Sequence, residues 1–182
     1  MKKMFFYLNI TFLTISCAGF KNADTKSVSL NTNSVSDIEG TYNNVPSSRS
    51  GFYVRSLSDV FDRNTNMFVS KEKYNKDLKV KVKNVNQNIF NVKIYESENV
   101  LFDKDVKVKL KKDGFFYLKE KRFMLDGIPL IFGGWNFQKS RFTVDQNNNL
   151  LVQSNYFFCN GVLVFMSDWK TFHYSLTFEK TE

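Results

Sequence analysis

Histidine occurs once in the 182 residues, cysteine and proline twice each, and glycine eight times. Each scarcity excludes something. One histidine, His173, and one cysteine outside the N-terminal stretch, Cys159, cannot assemble the clustered ligands of a zinc centre, and the acidic residues are scattered. The sequence has no G-x-S-x-G elbow for a nucleophilic serine and no glycine-rich phosphate cradle. Asp103, Asp105, Asp126 and Asp145 fall at strand ends or on polar faces, where solvated acids are the norm. The chain therefore reads as a non-enzyme that carries no metal and no cofactor. Alanine is scarce as well, which argues against long helices.

What is abundant is aromatic: twenty Phe and eight Tyr. These residues favour strands and bury large areas, so the composition leans all-β and the length suits one domain with a sizeable core. The formal net charge is +8. A basic balance points toward acidic partners such as nucleic acid, anionic lipid headgroups or acidic glycans. Most of the lysines alternate along strands, as they do on a solvated sheet face.

The N-terminus gives the strongest single signal. Met1-Lys2-Lys3 precedes a largely apolar run over residues 4–15, then Ser16-Cys17. A charged start, a short apolar stretch and a small residue before the break describe a secretory signal peptide. The run is too short for a transmembrane helix, which needs about 20 apolar residues. Leu13-Thr14-Ile15-Ser16-Cys17 resembles the box that ends the signal peptides of bacterial lipoproteins. The resemblance implies cleavage after Ser16 and acylation of Cys17, with residues 1–16 removed. The alternative is an ordinary secreted protein cleaved near Ser16 or Ala18. Nothing after Cys17 resembles an inner-membrane retention signal, so the expected location is the bacterial envelope, anchored to the outer membrane. Export removes nucleic acid from the list of partners and leaves the membrane itself. With Cys17 acylated, Cys159 has no disulfide partner, and its Phe157-Phe158-Cys159 setting reads as buried and inert.

Residues 17–37 carry few apolar side chains and read as a flexible tether. The domain is expected over 38–182. A strand opens it at Ile38-Glu39-Gly40-Thr41-Tyr42, and a two-turn helix over 56–62 follows. There Leu57, Val60 and Phe61 share a face, and Ser56 with Asp59 forms a capping box. Met67-Phe68-Val69 is a candidate short strand. From Leu78 onward apolar and polar residues alternate. Val80 and Val82 alternate with lysines. So do Phe90, Val92 and Ile94, then Val100, Phe102, Val106, Val108 and Leu110, and finally Phe172, Tyr174, Leu176 and Phe178. Period two with one greasy face means antiparallel strands. Turn residues at Asn86-Gln87-Asn88, Glu98-Asn99, Asp113-Gly114, Asp126-Gly127, Gly133-Gly134, Asn147-Asn148-Asn149 and Asn160-Gly161 separate the runs. The predicted fold is an antiparallel up-and-down meander closing into a barrel, with a two-sheet sandwich as the alternative.

Gly40-Thr41-Tyr42, the short helix, the hairpins and the aromatic last strand together resemble the lipocalin-like lipoproteins of bacteria and the wider calycin group, with Tyr42 where that pattern has Trp. The resemblance implies a small barrel around a cavity for apolar ligands. The aromatic-rich stretch over 115–142 supplies the candidate ligand-binding residues Phe115, Tyr117, Phe123, Trp135 and Phe137. Its Gly-flanked apolar centre also reads as a lid or a membrane-dipping tip, or as a buried hairpin. Two functions are expected from this reading. One is an anchored barrel that binds a lipid-like small molecule. The other is a filled, non-catalytic barrel that docks a partner through a surface such as Lys79, Lys81 and Lys83.

A clickable palmitate analogue fed to expressing cells should label the wild-type protein and leave Cys17→Ala unlabelled. Equal labelling of the two would end the lipid-anchor expectation.

Overall fold

The structure is a computed structural model that describes residues 19–20, 27–32, 34–49, 51–62, 78–119, 122–128, 132–162 and 166–182. Side chains are described at these positions except 122–128, 132–135, 160–162 and 166–169, which are followed by backbone alone. Cys17 and the candidate strand at Met67-Phe68-Val69 lie outside the described residues.

Nine antiparallel strands form one sheet: β1 (Gly40–Asn43), β2 (Lys79–Asn86), β3 (Ile89–Glu96), β4 (Asn99–Leu110), β5 (Phe116–Leu118), β6 (Arg122–Ile128), β7 (Phe132–Val144), β8 (Leu150–Val162) and β9 (Met166–Phe178). Each pairs with its successor, except that β5 and β6 both pair β7. Phe116 and Tyr117 lie opposite Phe142 and Arg141, while Arg122 to Ile128 lie opposite Gln138 to Phe132. The two short strands thus share one position beside β7, and the meander has eight strand positions. The sheet is a single, strongly curled one rather than two stacked layers. It is not fully closed: its ends meet at one bridge, Tyr42 opposite Lys180. Around that bridge the Thr41 N–H donates to the Glu182 carbonyl at 3.0 Å, and the Thr181 N–H donates to the Thr41 carbonyl at 2.7 Å. Gly40 makes the approach possible, since a Cβ there would stand 2.7 Å from the Glu182 carbonyl oxygen.

Alternation decides which face is dry. Val80, Val82, Phe90, Val92, Ile94, Val106, Val108, Phe116, Phe142, Val152, Leu176 and Phe178 build the core face, and each is buried. Helix α1 (Leu57–Phe61) plugs it with Leu57, Val60 and Phe61. So short a helix persists because its first turn is capped and its apolar side is packed on the sheet. Its capping box forms as expected, with the Ser56 hydroxyl accepting from the Asp59 N–H and the Asp59 carboxylate accepting from the Ser56 N–H. The buried Asn44 carboxamide accepts from the Ser58 N–H at 2.8 Å. Phe61 packs on Phe142, which also meets Phe90 and Phe116.

Three expectations need correction. The 17–37 stretch is not a tether throughout. Leu30 and Val35 enter the core, the Val28 N–H donates to the Val144 carbonyl at 2.9 Å, and a 3-10 turn spans Val35–Ile38, where strand was expected to begin. Gly114, with φ of 76°, lets the same segment pass, because a Cβ would stand 2.5 Å from the Ser29 Cα. Sparse apolar residues suffice here because they dock on a sheet already formed. Second, Asp126-Gly127, Gly133-Gly134 and Asn160-Gly161 are not turns. They lie within β6, β7 and β8, with Gly127, Gly133 and Gly161 aligned across the three strands. Glycine there gives the backbone latitude inside a strand rather than a reversal. Third, Val100 is 51% exposed, since a register shift between Ile94 and Tyr95 takes it out of the core row.

Tyr42 is wholly buried and donates its hydroxyl to the Ile38 carbonyl at 2.6 Å. Burial holds its phenol far above the ordinary tyrosine value. Above about pH 10 the unfolded phenol ionises while the folded one keeps its proton, so the unfolded state binds fewer protons and stability falls as pH rises. Urea titrations should show that alkaline loss, and Tyr42→Phe should flatten part of it. Tyr117 and Tyr174, whose phenols burial also raises, add to it in the same direction. At neutral pH the variant should lose about 1 kcal/mol with the hydrogen bond.

Candidate functional site

Two clusters break the rule that one sheet face is dry and the other wet. The first lies on the outer face, where Arg141 of β7 is only 5% exposed. Its neighbours explain how a guanidinium tolerates burial. Nε and Nη2 donate to the Gln153 amide oxygen at 2.9 and 2.7 Å, and Nη1 donates to Asp113 and to the Tyr117 hydroxyl at 2.8 Å each. The Tyr117 hydroxyl in turn donates to Asp113 at 2.6 Å. Burial and then the Asp113 carboxylate push the Tyr117 phenol up, against the pull of Arg141. The guanidinium plane is covered by two rings, Phe115 at 4.2 Å and Phe20 at 4.6 Å from ring centroid to Cζ. Phe20 also meets Tyr117 edge-on at 5.5 Å.

Phe20 brings the N-terminal segment with it. The Asn155 side-chain N–H donates to the Gly19 carbonyl at 2.9 Å. That bond fixes the amide orientation, so the Asn155 oxygen faces His173 Nδ1 at 2.8 Å and His173 carries its proton on Nδ1. A small cavity of about 120 Å³ lies here, lined by Phe20, Gln153, Asn155, His173, Tyr174 and Ser175. Arg141, Asp113, Tyr117, Gln153 and Asn155 all form hydrogen bonds within this cluster, which fastens residues 19–20 to the sheet as a clasp. Among the described residues no group of three His, Cys, Asp or Glu could hold a metal ion.

The second cluster lies on the core face. Successive layers across β7, β8 and β9 read Phe142, Val152 and Leu176; then Ser140, Ser154 and Tyr174; then Gln138, Tyr156 and Phe172. The aliphatic core therefore gives way to hydroxyls, an amide and half-buried aromatic rings. Ser140 and Ser154 share a hydrogen bond at 2.7 Å. Gln138 is 1% exposed, its Nε2 reaches Ser140 at 3.5 Å, and its Oε1 has no hydrogen-bond partner. An unsatisfied buried acceptor costs about 1–3 kcal/mol. The loop before α1 closes over this end. Tyr53 stacks on Tyr156 at 4.3 Å and 7°, with Phe172 at 5.0 Å and Phe158 at 6.3 Å. Phe52 beside it is 63% exposed.

The candidate residues from sequence divide between these places. Phe115 and Tyr117 come together around Arg141 on the outer face, not inside the curl. Phe137 lies on that outer face too, with the Lys139 ammonium 5.1 Å from its ring centroid. Phe123 is the register partner of Phe137, and Trp135 that of Leu125 and Cys159; both are followed by backbone alone. Cys159 is buried. Tyr53, Gln138, Ser140, Ser154 and Phe172 were missed as a group. The available signal was the run Asn136 to Arg141, where the face carrying Phe142 turns polar.

Replacing Arg141 with Ala strands Asp113 and Gln153. Urea unfolding should show a loss of about 2–3 kcal/mol, below the 3–5 of a wholly buried pair because the Asp113 side chain is 37% exposed. Arg141→Lys should recover only part of this, since an ammonium cannot serve both partners or stack between rings. Faster hydrogen exchange at the Val28 amide should accompany either change. No protein-family model, curated protein or solved structure matches the chain.

Proposed function

We propose that the protein is a lipid-anchored envelope protein, held by acylated Cys17, that takes up an amphipathic small molecule on the core face of β7, β8 and β9. The observation that carries the binding half is Gln138: a fully buried amide with an unanswered acceptor, at the level where the aliphatic core yields to Tyr53, Tyr156 and Phe172. A ligand with a flat or aliphatic body and one hydrogen-bond donor satisfies both features. The eight strand positions, the helix plug and the bridge between the sheet's ends support a lipocalin-like reading of the domain. Cys17 supplies the anchor through the resemblance of its flanking residues to a lipoprotein box, and acyl chains contribute about 0.8 kcal/mol per buried methylene.

One observation favours a second reading, a non-catalytic interaction protein with a filled interior. Tyr42, Phe90, Phe116, Phe142 and Phe178 are all under 2% exposed, so the end of the curl beside α1 is solid. In the first reading the ligand sits above that layer.

Titration with a dansyl-labelled undecanoic acid separates the readings. Binding should weaken about 3- to 10-fold in Gln138→Leu, the equivalent of one hydrogen bond, and more in Phe172→Ala. Phe137→Ala on the outer face should bind as the wild type does. Absence of saturable binding, or equal affinity across all three variants, would favour the filled interior.

A further inference from the structure

We propose that the outer face of β4 and β5 lies against the anionic headgroups of the membrane in which the protein is anchored, so that the domain is held flat on the bilayer rather than swinging from it. The inference rests on acylation of Cys17 and adds an orientation to it. The Gly19 carbonyl is bonded to Asn155, and Phe20 is seated on Tyr117 and Arg141. At no more than ~3.6 Å per residue, the Cys17 Cα stands within about 7 Å of the Gly19 Cα. The acyl chains therefore enter the bilayer beside this face of the sheet.

The charge on that face suits an acidic surface. Tyr117 lies opposite Lys109, and the Lys119 N–H donates to the Lys107 carbonyl at 2.9 Å. Lys107, Lys109, Lys112 and Lys119 are exposed and have no carboxylate partner among the described residues. Lys111, also exposed, covers the Tyr117 ring at 3.7 Å. Of the acids near these lysines, Asp113 is already neutralised by Arg141, and Asp105, two residues before Lys107 on the same row, accepts from the Asn91 side chain at 2.9 Å. Five lysines thus border the seat of Phe20. Strands stand about 4.8 Å apart, so β4 is one strand from Tyr117 and well inside the range of an anionic leaflet's field. The other lysine row, Lys79, Lys81 and Lys83, is two strands farther away on β2, beyond the Lys93–Asp103 pair.

The full chain, matured in cells and extracted in detergent, is reconstituted into vesicles of phosphatidylcholine with or without one-third phosphatidylglycerol. Amine-reactive labelling followed by peptide mass spectrometry then reads each lysine. Lys107, Lys109 and Lys119 should be protected about fivefold in the anionic vesicles relative to the neutral ones, with high salt removing the difference. Lys79, Lys81 and Lys83 should label equally in both. The triple variant Lys107, Lys109, Lys119→Glu should stay vesicle-bound through its acyl chains, and Lys111 and Lys112 should then label alike in both vesicle types. Protein that carries acyl mass but shows no selective protection, or protection on β2 instead, overturns the orientation and leaves the anchor standing. Protein without acyl mass that fails to incorporate overturns both.

Discussion

Four phenyl rings hold the sheet curled. Phe142 of β7 touches Phe90 of β3, Phe116 of β5 and Phe61 of α1, so one side chain joins strands far apart along the sheet to the helix that stops its end. Large aromatic side chains are the economical way to do this, because each fills a wide gap with few rotatable bonds. The helix needs the rings as much as they need it: five residues cannot persist as an isolated helix in water. Remove that layer and the sheet has no reason to bring β1 round to the end of β9.

Above and outside the phenyl layer the two faces of β7 take different tasks. On the core face the strand passes from Phe142 to Ser140 and Gln138, trading packing for hydrogen-bonding capacity. On the outer face Arg141 points the other way and collects Asp113, Tyr117, Gln153, Phe115 and Phe20. The burial of a charge there is tolerated because partners surround it, and one of them arrives from the chain's N-terminal segment. The same strand therefore carries a partly polar surface inward and a fastening for residues 19–20 outward.

Much of this was legible in sequence, and the failures share a cause. Alternation located β2, β3, β4 and the second half of β9, and Ser56 with Asp59 located the helix start, because both signals are local. The turns at Asn86-Gln87-Asn88 and Asp113-Gly114 were right for the same reason. Gly127, Gly133 and Gly161 misled because glycine reports backbone freedom, and three aligned strands use it as readily as a turn does. Leu30 and Val35 looked too sparse to fold, and alone they are; the sheet they pack on is encoded much later in the chain. The candidate site was sought among clustered aromatics; of these, Phe115 and Tyr117 lie together at Arg141 on the outer face of the curl. Gln138 and Ser140 were overlooked because a polar residue draws notice only once its inward position is known.

The bridge at Tyr42 and Lys180 has a consequence for the order in which the molecule is made. It joins backbone groups some 140 residues apart, such as those of Thr41 and Thr181. A chain emerging from its N-terminus cannot form that seam until residues 179–182 are free. Such distant pairing is entropically late and slow, so this seam closes after the local hairpins between β2 and β4 and between β7 and β9 can have formed.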